Sequence, residues 1–145
     1  MEFLPGGGVR TEPLVCPPGT LRRLHSSMLL FFTGKQRSAP SVLTAQRAAI
    51  LDGRAVEPLV ALRDLAYELR DALTSGEDLQ VGDIMHRGWE LKRSLAEGIS
   101  NAEVDRLYAA ARANGVSGGK LLGAGGGGFL LILAPVNIMR ASAKS

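Results

Sequence analysis

Seven glycines fall within eleven residues near the end of this chain: Gly118-Gly119-Lys120-Leu121-Leu122-Gly123-Ala124-Gly125-Gly126-Gly127-Gly128. They lead directly into the apolar run Phe129-Leu130-Leu131-Ile132-Leu133. No helix tolerates such a density of glycine, because each residue loses more backbone entropy there than alanine would. A short apolar run bounded by glycine and Pro135 reads instead as a strand. The pattern therefore predicts strand, glycine loop, strand. Gly123, Gly125 and Gly128 formally satisfy G-x-G-x-x-G, but the dinucleotide version needs a helix to open at the glycines so that its first N–H groups meet a pyrophosphate. A phosphate loop of the form G-x-x-x-x-G-K-[ST] would need glycine where Asn114 stands and a hydroxyl where Leu121 stands. Both readings are excluded. Two remain: a flexible hairpin, or a backbone kept bare so that another segment or an anion approaches its N–H groups.

The rest of the chain reads as helices framed by strands. Residues 1–24 are crowded with Pro5, Gly6-Gly7-Gly8, Pro13 and Pro17-Pro18-Gly19 and are expected to be irregular, with one short strand between Val9 and Val15. Met28-Leu29-Leu30-Phe31-Phe32, closed by Thr33-Gly34, is expected to be a strand buried on both faces. Residues 41–51 are helical in character. From Glu57 to Thr74, Leu59, Leu62, Leu65, Ala66, Leu69 and Leu73 recur at three and four, giving one apolar stripe that ends at Ser75-Gly76. A second amphipathic helix runs from Leu79 to Leu95 on Val81, Ile84, Met85, Trp89 and Leu95, with Trp89 expected in the core. A third starts at Ser100-Asn101-Ala102-Glu103, whose spacing is that of a capping box, buries Val104, Leu107, Tyr108 and Ala111, and stops at Asn114-Gly115. Helices gathered between strands at the two ends make an α+β domain: a small antiparallel sheet with helices packed on one face.

Composition removes several classes of function. The 145 residues are 46% hydrophobic and 21% charged, enough for one domain with a core of its own. Net charge is +3 and the cations are scattered, so no basic face for nucleic acid is evident. Cys16 is the sole cysteine, and His25 and His86 are far apart, which leaves no disulfide framework and no recognisable metal spacing. The apolar run from Phe129 to Val136 is too short to span a bilayer, and the N-terminus lacks a signal-peptide pattern, so a cytoplasmic protein without membrane attachment is expected.

Four segments carry a family resemblance. The stretch from Gly118 to Phe129 resembles the third conserved motif of the GHMP kinases, the superfamily of galactokinase, homoserine kinase and mevalonate kinase. Phe31-Phe32-Thr33-Gly34-Lys35-Gln36-Arg37-Ser38-Ala39 is similar to the F-T-G-x-x-R-x-A segment of the branch that phosphorylates heptose 7-phosphate. Trp89-Glu90-Leu91-Lys92-Arg93 is similar to its W-x-x-K-R helix, and Gly98-Ile99-Ser100-Asn101 to its G-I-S-N helix start. The four occur in the family's order across residues 25–135, leaving 136–145 as a polar tail.

The resemblance implies a ferredoxin-like C-terminal domain and an ATP-dependent phosphoryl transfer to a sugar hydroxyl. The family's G-L-G-S-S phosphate loop and catalytic acidic residue belong to its N-terminal domain, and no such loop occurs here; the family's C-terminal domain also closes with a further helix and strand. The chain is thus expected to be a truncated kinase, inactive alone, with ATP and Mg2+ held mainly by the other half. That half would lie on a separate chain, or an exposed docking face would drive self-association. Gly123, Gly125, Gly126, Gly127 and Gly128 are the candidate nucleotide-side residues. Thr33, Gly34, Arg37 and Lys120 are the candidates for a sugar phosphate, Arg37 because a guanidinium grips phosphate in two-pronged fashion. Lys92 and Arg93 are secondary candidates, and no catalytic residue is assigned. A non-catalytic ligand-binding or interaction module on the same scaffold is the alternative, and a fucose or galactose kinase a third reading.

Overall fold

The computed structural model of the chain describes residues 1–34, 39–123 and 126–135. Its elements run β1 (Glu2–Phe3), β2 (Val9–Arg10), α1 (Thr20–Ser27), β3 (Met28–Phe32), α2 (Ala39–Leu51), α3 (Val56–Ser75), a short 3₁₀ helix (Asp78–Gln80), α4 (Val81–Leu95), α5 (Ala102–Ala113), β4 (Gly118–Leu121) and β5 (Phe129–Leu133). The expected α+β order is present. β1 and β2 form a small antiparallel ribbon. The main sheet is antiparallel with order β3-β5-β4.

Registers of the main sheet decide which residues share a face. Leu29 lies opposite Ile132 and Leu121 opposite Leu130, so alternation puts these four on one side. That side is the core. Leu121, Leu130 and Ile132 meet Trp89 and Leu95 of α4, Val104 and Tyr108 of α5, Val42 and Ala49 of α2, and the loop residue Ile99. Trp89, 1% exposed, is a core residue as expected. On the opposite side Leu30 pairs with Leu131 and Phe32 with Phe129, and Leu30, Phe32 and Phe129 are exposed.

Several local expectations need correction. β3 is not buried on both faces: Leu30, Phe31 and Phe32 are 55%, 50% and 57% exposed, because β3 is an outer strand and the helices cover only one side of the sheet. α1 occupies a stretch for which the sequence carries no sustained apolar stripe, and its only buried residue is Thr20. The expected strand between Val9 and Val15 shrinks to Val9–Arg10. α5 begins one residue later than its capping-box spacing implies. Asn101 is the N-cap, accepting from the N–H groups of Glu103 and Val104 at 3.0 Å each, while the Ser100 hydroxyl is drawn to Asp105 at 2.6 Å. Leu107 is exposed rather than buried; of the α3 stripe Leu62, Leu65, Leu69 and Leu73 are half-buried and Leu59 and Ala66 exposed, while the buried residue of α3 is Ala72, outside that stripe.

The first two glycines of the glycine-rich stretch serve packing. A Cβ on Gly118 would stand 1.7 Å from the carbonyl oxygen of Gly82 in α4, and a Cβ on Gly82 would stand 2.0 Å from Oγ of Ser117. The missing side chains let helix and strand touch backbone to backbone. That contact sets how close α4 lies to the start of β4.

Among the described residues no helix is long and apolar enough to cross a membrane.

Candidate functional site

The loop from Leu122 to Gly128 closes the hairpin between β4 and β5, where the N–H of Leu122 donates to the carbonyl of Phe129 at 2.8 Å. It is fastened to three separate parts of the chain. At its far end the Thr33 N–H donates to the Gly128 carbonyl at 2.8 Å, and the Thr33 hydroxyl accepts from the Gly128 N–H at 3.0 Å. At its middle the Asn101 side-chain amide donates to the Gly126 carbonyl at 3.0 Å, and the Gly126 N–H donates to the Ile99 carbonyl at 2.9 Å. At its near end Nζ of Lys92 donates to the Gly123 carbonyl at 3.2 Å. These ties join Gly123, Gly126 and Gly128 to residues outside the hairpin. Gly123 and Gly128 have φ of +87° and +114°, values that a residue with a Cβ adopts only under strain.

The sequence candidates are placed unequally. Thr33, 6% exposed, directly clamps the loop, and Gly34 follows it on the surface with φ of +77° and open space around its Cα. Gly126 and Gly127 are buried and Gly123 is exposed. Lys120 lies half-buried on β4, two residues before the loop. Arg37 and Gly125 fall outside the described residues, so their positions relative to the loop are not part of the geometry. Arg93, a secondary candidate, is held between Glu90 at 2.9 Å and Asp105 at 3.2 Å, which places its charge in a structural tie.

Asn101, which the sequence did not single out, and Lys92, which it ranked second, both gain importance. Asn101 caps α5 with its side-chain oxygen and holds the loop with its side-chain nitrogen. The four-residue stretch that includes it was visible, but the loop contact joins positions 25 apart and no local pattern reports it. Lys92 is the other. Burial, and secondly the like charge of Lys120, hold its pKa below the ordinary lysine value. Near the start of β4, at the end away from the loop, the Tyr108 hydroxyl meets Nδ1 of His86 at 2.9 Å, and burial pushes that phenol up to about 12. Beside Thr33 and Gly128, Phe32 and Phe129 pack with ring centroids 5.2 Å apart, so an exposed apolar surface borders the loop. Among the described residues no group of three or more His, Cys, Asp or Glu side chains is arranged to hold a metal ion.

The family model for the C-terminal domain of GHMP kinases matches residues 69–141. The chain is 39% identical over 134 residues to a bifunctional fucokinase/GDP-fucose pyrophosphorylase of Arabidopsis thaliana, covering 90% of this chain and 13% of that protein. It is 29% identical over 130 residues to the D-glycero-alpha-D-manno-heptose 7-phosphate kinase of Campylobacter jejuni, covering 90% of this chain and 38% of the other. Among solved structures it is similar in fold to L. major mevalonate kinase, with a TM-score of 0.67 and 24% identity over 81% of this chain and 36% of that one. It is also similar to a D-glycero-D-manno-heptose 1-phosphate kinase of B. thetaiotaomicron, with a TM-score of 0.61 and 22% identity over 99% of this chain and 37% of that one. The chain spans well under half the length of each of these proteins.

Proposed function

The chain belongs to the GHMP kinases, matching the model of their C-terminal domain over residues 69–141, and on that premise we propose that it is the substrate-side part of an ATP-dependent sugar kinase. The observation that carries this reading is convergence. Thr33 after β3, Lys92 in α4 and Asn101 at the start of α5 come from three different elements, and each donates to one carbonyl of the glycine loop, those of Gly128, Gly123 and Gly126 in turn. Phosphoryl transfer depends mostly on positioning and on stabilising developing charge. A loop tied at three points is suited to that work, because dipoles already set in place need little reorganisation during reaction. Its bare backbone admits a phosphate closely, with Gly123 to Gly128 on the nucleotide side and Thr33, Gly34, Arg37 and Lys120 on the sugar-phosphate side. ATP, with Mg2+, supplies the transferred group and binds mainly to residues outside this chain. Heptose phosphates and fucose are the substrates to test first, given the named activities of the two curated relatives.

The decisive experiment assays the 145-residue chain with ATP and a heptose phosphate, alone and mixed with a chain carrying the G-L-G-S-S half of a heptose or fucose kinase. Negligible turnover alone and restored turnover on mixing are expected. Restoration that never occurs with either substrate, together with no binding of nucleotide or sugar phosphate by the mixture, would favour the non-catalytic module. In the active pair, Arg37→Ala is expected to raise the sugar-phosphate KM sharply, and an unchanged KM removes Arg37 from that role.

A further inference from the structure

Cations on this surface are mostly neutralised at short range. Arg23 meets Asp78, Arg87 meets Glu68 and Asp83, and Arg93 meets Glu90 and Asp105. Lys92 and Lys120 are different. Both are half-buried and line the same cavity of 220 Å³, and among the described residues neither pairs with a carboxylate. They come from different elements, α4 and β4. The Lys92 ammonium is tied to the Gly123 carbonyl at 3.2 Å, which fixes it at the mouth of the glycine loop. The cavity wall behind them is apolar, built from Leu62, Leu65, Leu69 and Met85.

Two lysines lining one cavity, partly out of water and without an acid, oppose folding. Proteins keep such arrangements where a ligand supplies the missing charge. An anion between them would be attracted by both, in surroundings of lower dielectric than bulk water, and the remaining ammonium hydrogens would donate to it. A dianion suits the pair better than a halide or a carboxylate, because it answers two charges at once.

We propose that Lys92 and Lys120 form a two-lysine site for a terminal phosphate dianion at the near end of the glycine loop. The proposal rests on the reading that this loop faces phosphorylated ligands, and it pairs Lys92, a secondary candidate in the sequence, with Lys120 in one site, giving Lys92 a charge role beyond its tie to Gly123. A terminal phosphate dianion is carried equally by a sugar phosphate and by a nucleotide, and the test separates the two.

The whole 145-residue chain, labelled with ¹³C at lysine Cε, is titrated with inorganic phosphate at constant ionic strength, and separately with sodium chloride. Phosphate is expected to shift the Lys92 and Lys120 signals together and saturably, while chloride leaves them in place. Lys92→Met and Lys120→Met are each expected to weaken phosphate binding roughly tenfold or more, the loss of a charge-assisted contact. Lys92→Arg and Lys120→Arg, which keep the charge, serve if a methionine variant does not fold, and are expected to retain binding. Still signals at both lysines, shifts confined to other lysines, or equal shifts with chloride would overturn the proposal. Titration with a hexose 6-phosphate and with ADP then identifies the source: the ligand that binds and shifts both lysines more tightly than phosphate is the one the site serves, and neither doing so counts against it. Because no catalysis is measured, failure of the kinase reading appears only in the mixing experiment, and failure of the lysine site only here.

Discussion

Gly118→Ala tests the closest contact in the fold. The φ of Gly118 lies outside the left-handed region, so alanine is not opposed by the local backbone. The added Cβ would stand 1.7 Å from the Gly82 oxygen, 2.6 Å from the Gly82 carbonyl carbon and 3.1 Å from the His86 nitrogen. All three are backbone atoms of α4, and no rotamer change relieves them. Reaching an ordinary contact of roughly 3.5 Å needs α4 to back away from β4 by about 1.8 Å. That displacement opens gaps around Trp89, Tyr108 and Leu121, which share the core beneath. Overpacking typically costs about 1–3 kcal/mol, and a backbone collision belongs at the upper end, about 3 kcal/mol. For a chain of this size that lowers the Tm by roughly 10 °C. Gly88→Ala is the control. Its Cβ would meet Leu62 and Leu65 at 3.8 Å, an ordinary contact, inside the same helix. Removing a helical glycine there is expected to stabilise the chain by up to about 1 kcal/mol. Urea unfolding followed by circular dichroism should show shifts of opposite sign in the two variants. Unchanged stability of Gly118→Ala, to within about 0.5 kcal/mol, would refute the argument that bare backbone at 118 is required by packing.

Three further outcomes are expected. Asn101→Asp keeps the oxygen that caps α5 and loses the amide that holds Gly126, so stability should change little while hydrogen exchange at Gly126 to Gly128 accelerates; Asn101→Ala should do both, at a stability cost of about 1 kcal/mol. Thr33→Val keeps the shape and removes the hydroxyl, leaving the Gly128 N–H short of a partner at a cost of about 1–2 kcal/mol in urea unfolding, which Thr33→Ser should largely restore. Lys92 has its pKa depressed chiefly by burial and secondly by Lys120, so its protonated form is disfavoured in the folded chain. Its contribution to stability is therefore unfavourable at neutral pH and is relieved as pH rises through its folded pKa towards 10.5. Lys120→Met should raise the Lys92 pKa by removing the second cause, and an NMR titration of its Cε that does not move would refute the coupling.

Long-period patterns carried most of the fold. The three-and-four spacing of leucines in α3 and of Val81, Ile84, Trp89 and Leu95 in α4 marks both helices, and the glycine density marks the turn between β4 and β5. What escaped depends on neighbours distant in sequence. Ser100 and Asn101 are both good capping residues, and Asp105 decides between them by claiming the serine. The run Met28 to Phe32 does not reveal its exposure, because an apolar strand reads the same whether one or both faces are covered. Glycine is the least legible of all. Gly118 is bare to admit a helix and Gly128 is bare to adopt a positive φ, yet the two are identical as letters. At the candidate site the glycine loop and Thr33 were visible from motif resemblance, whereas the ties of Asn101 and Lys92 exist only once the chain has folded.

Strands normally learn their alignment from sidedness: a slip of one residue would turn a greasy face towards water. β3 has little such information, since Leu30, Phe31 and Phe32 are all apolar and all exposed. Its alignment with β5 must be read from the ends, where the Ala134 N–H meets the Ser27 carbonyl at 2.9 Å and Thr33 meets Gly128. One displaced residue would carry Thr33 past its glycine by about 3.4 Å. The threonine is in effect a ruler mark, and the position of everything beyond it along the loop is measured from there.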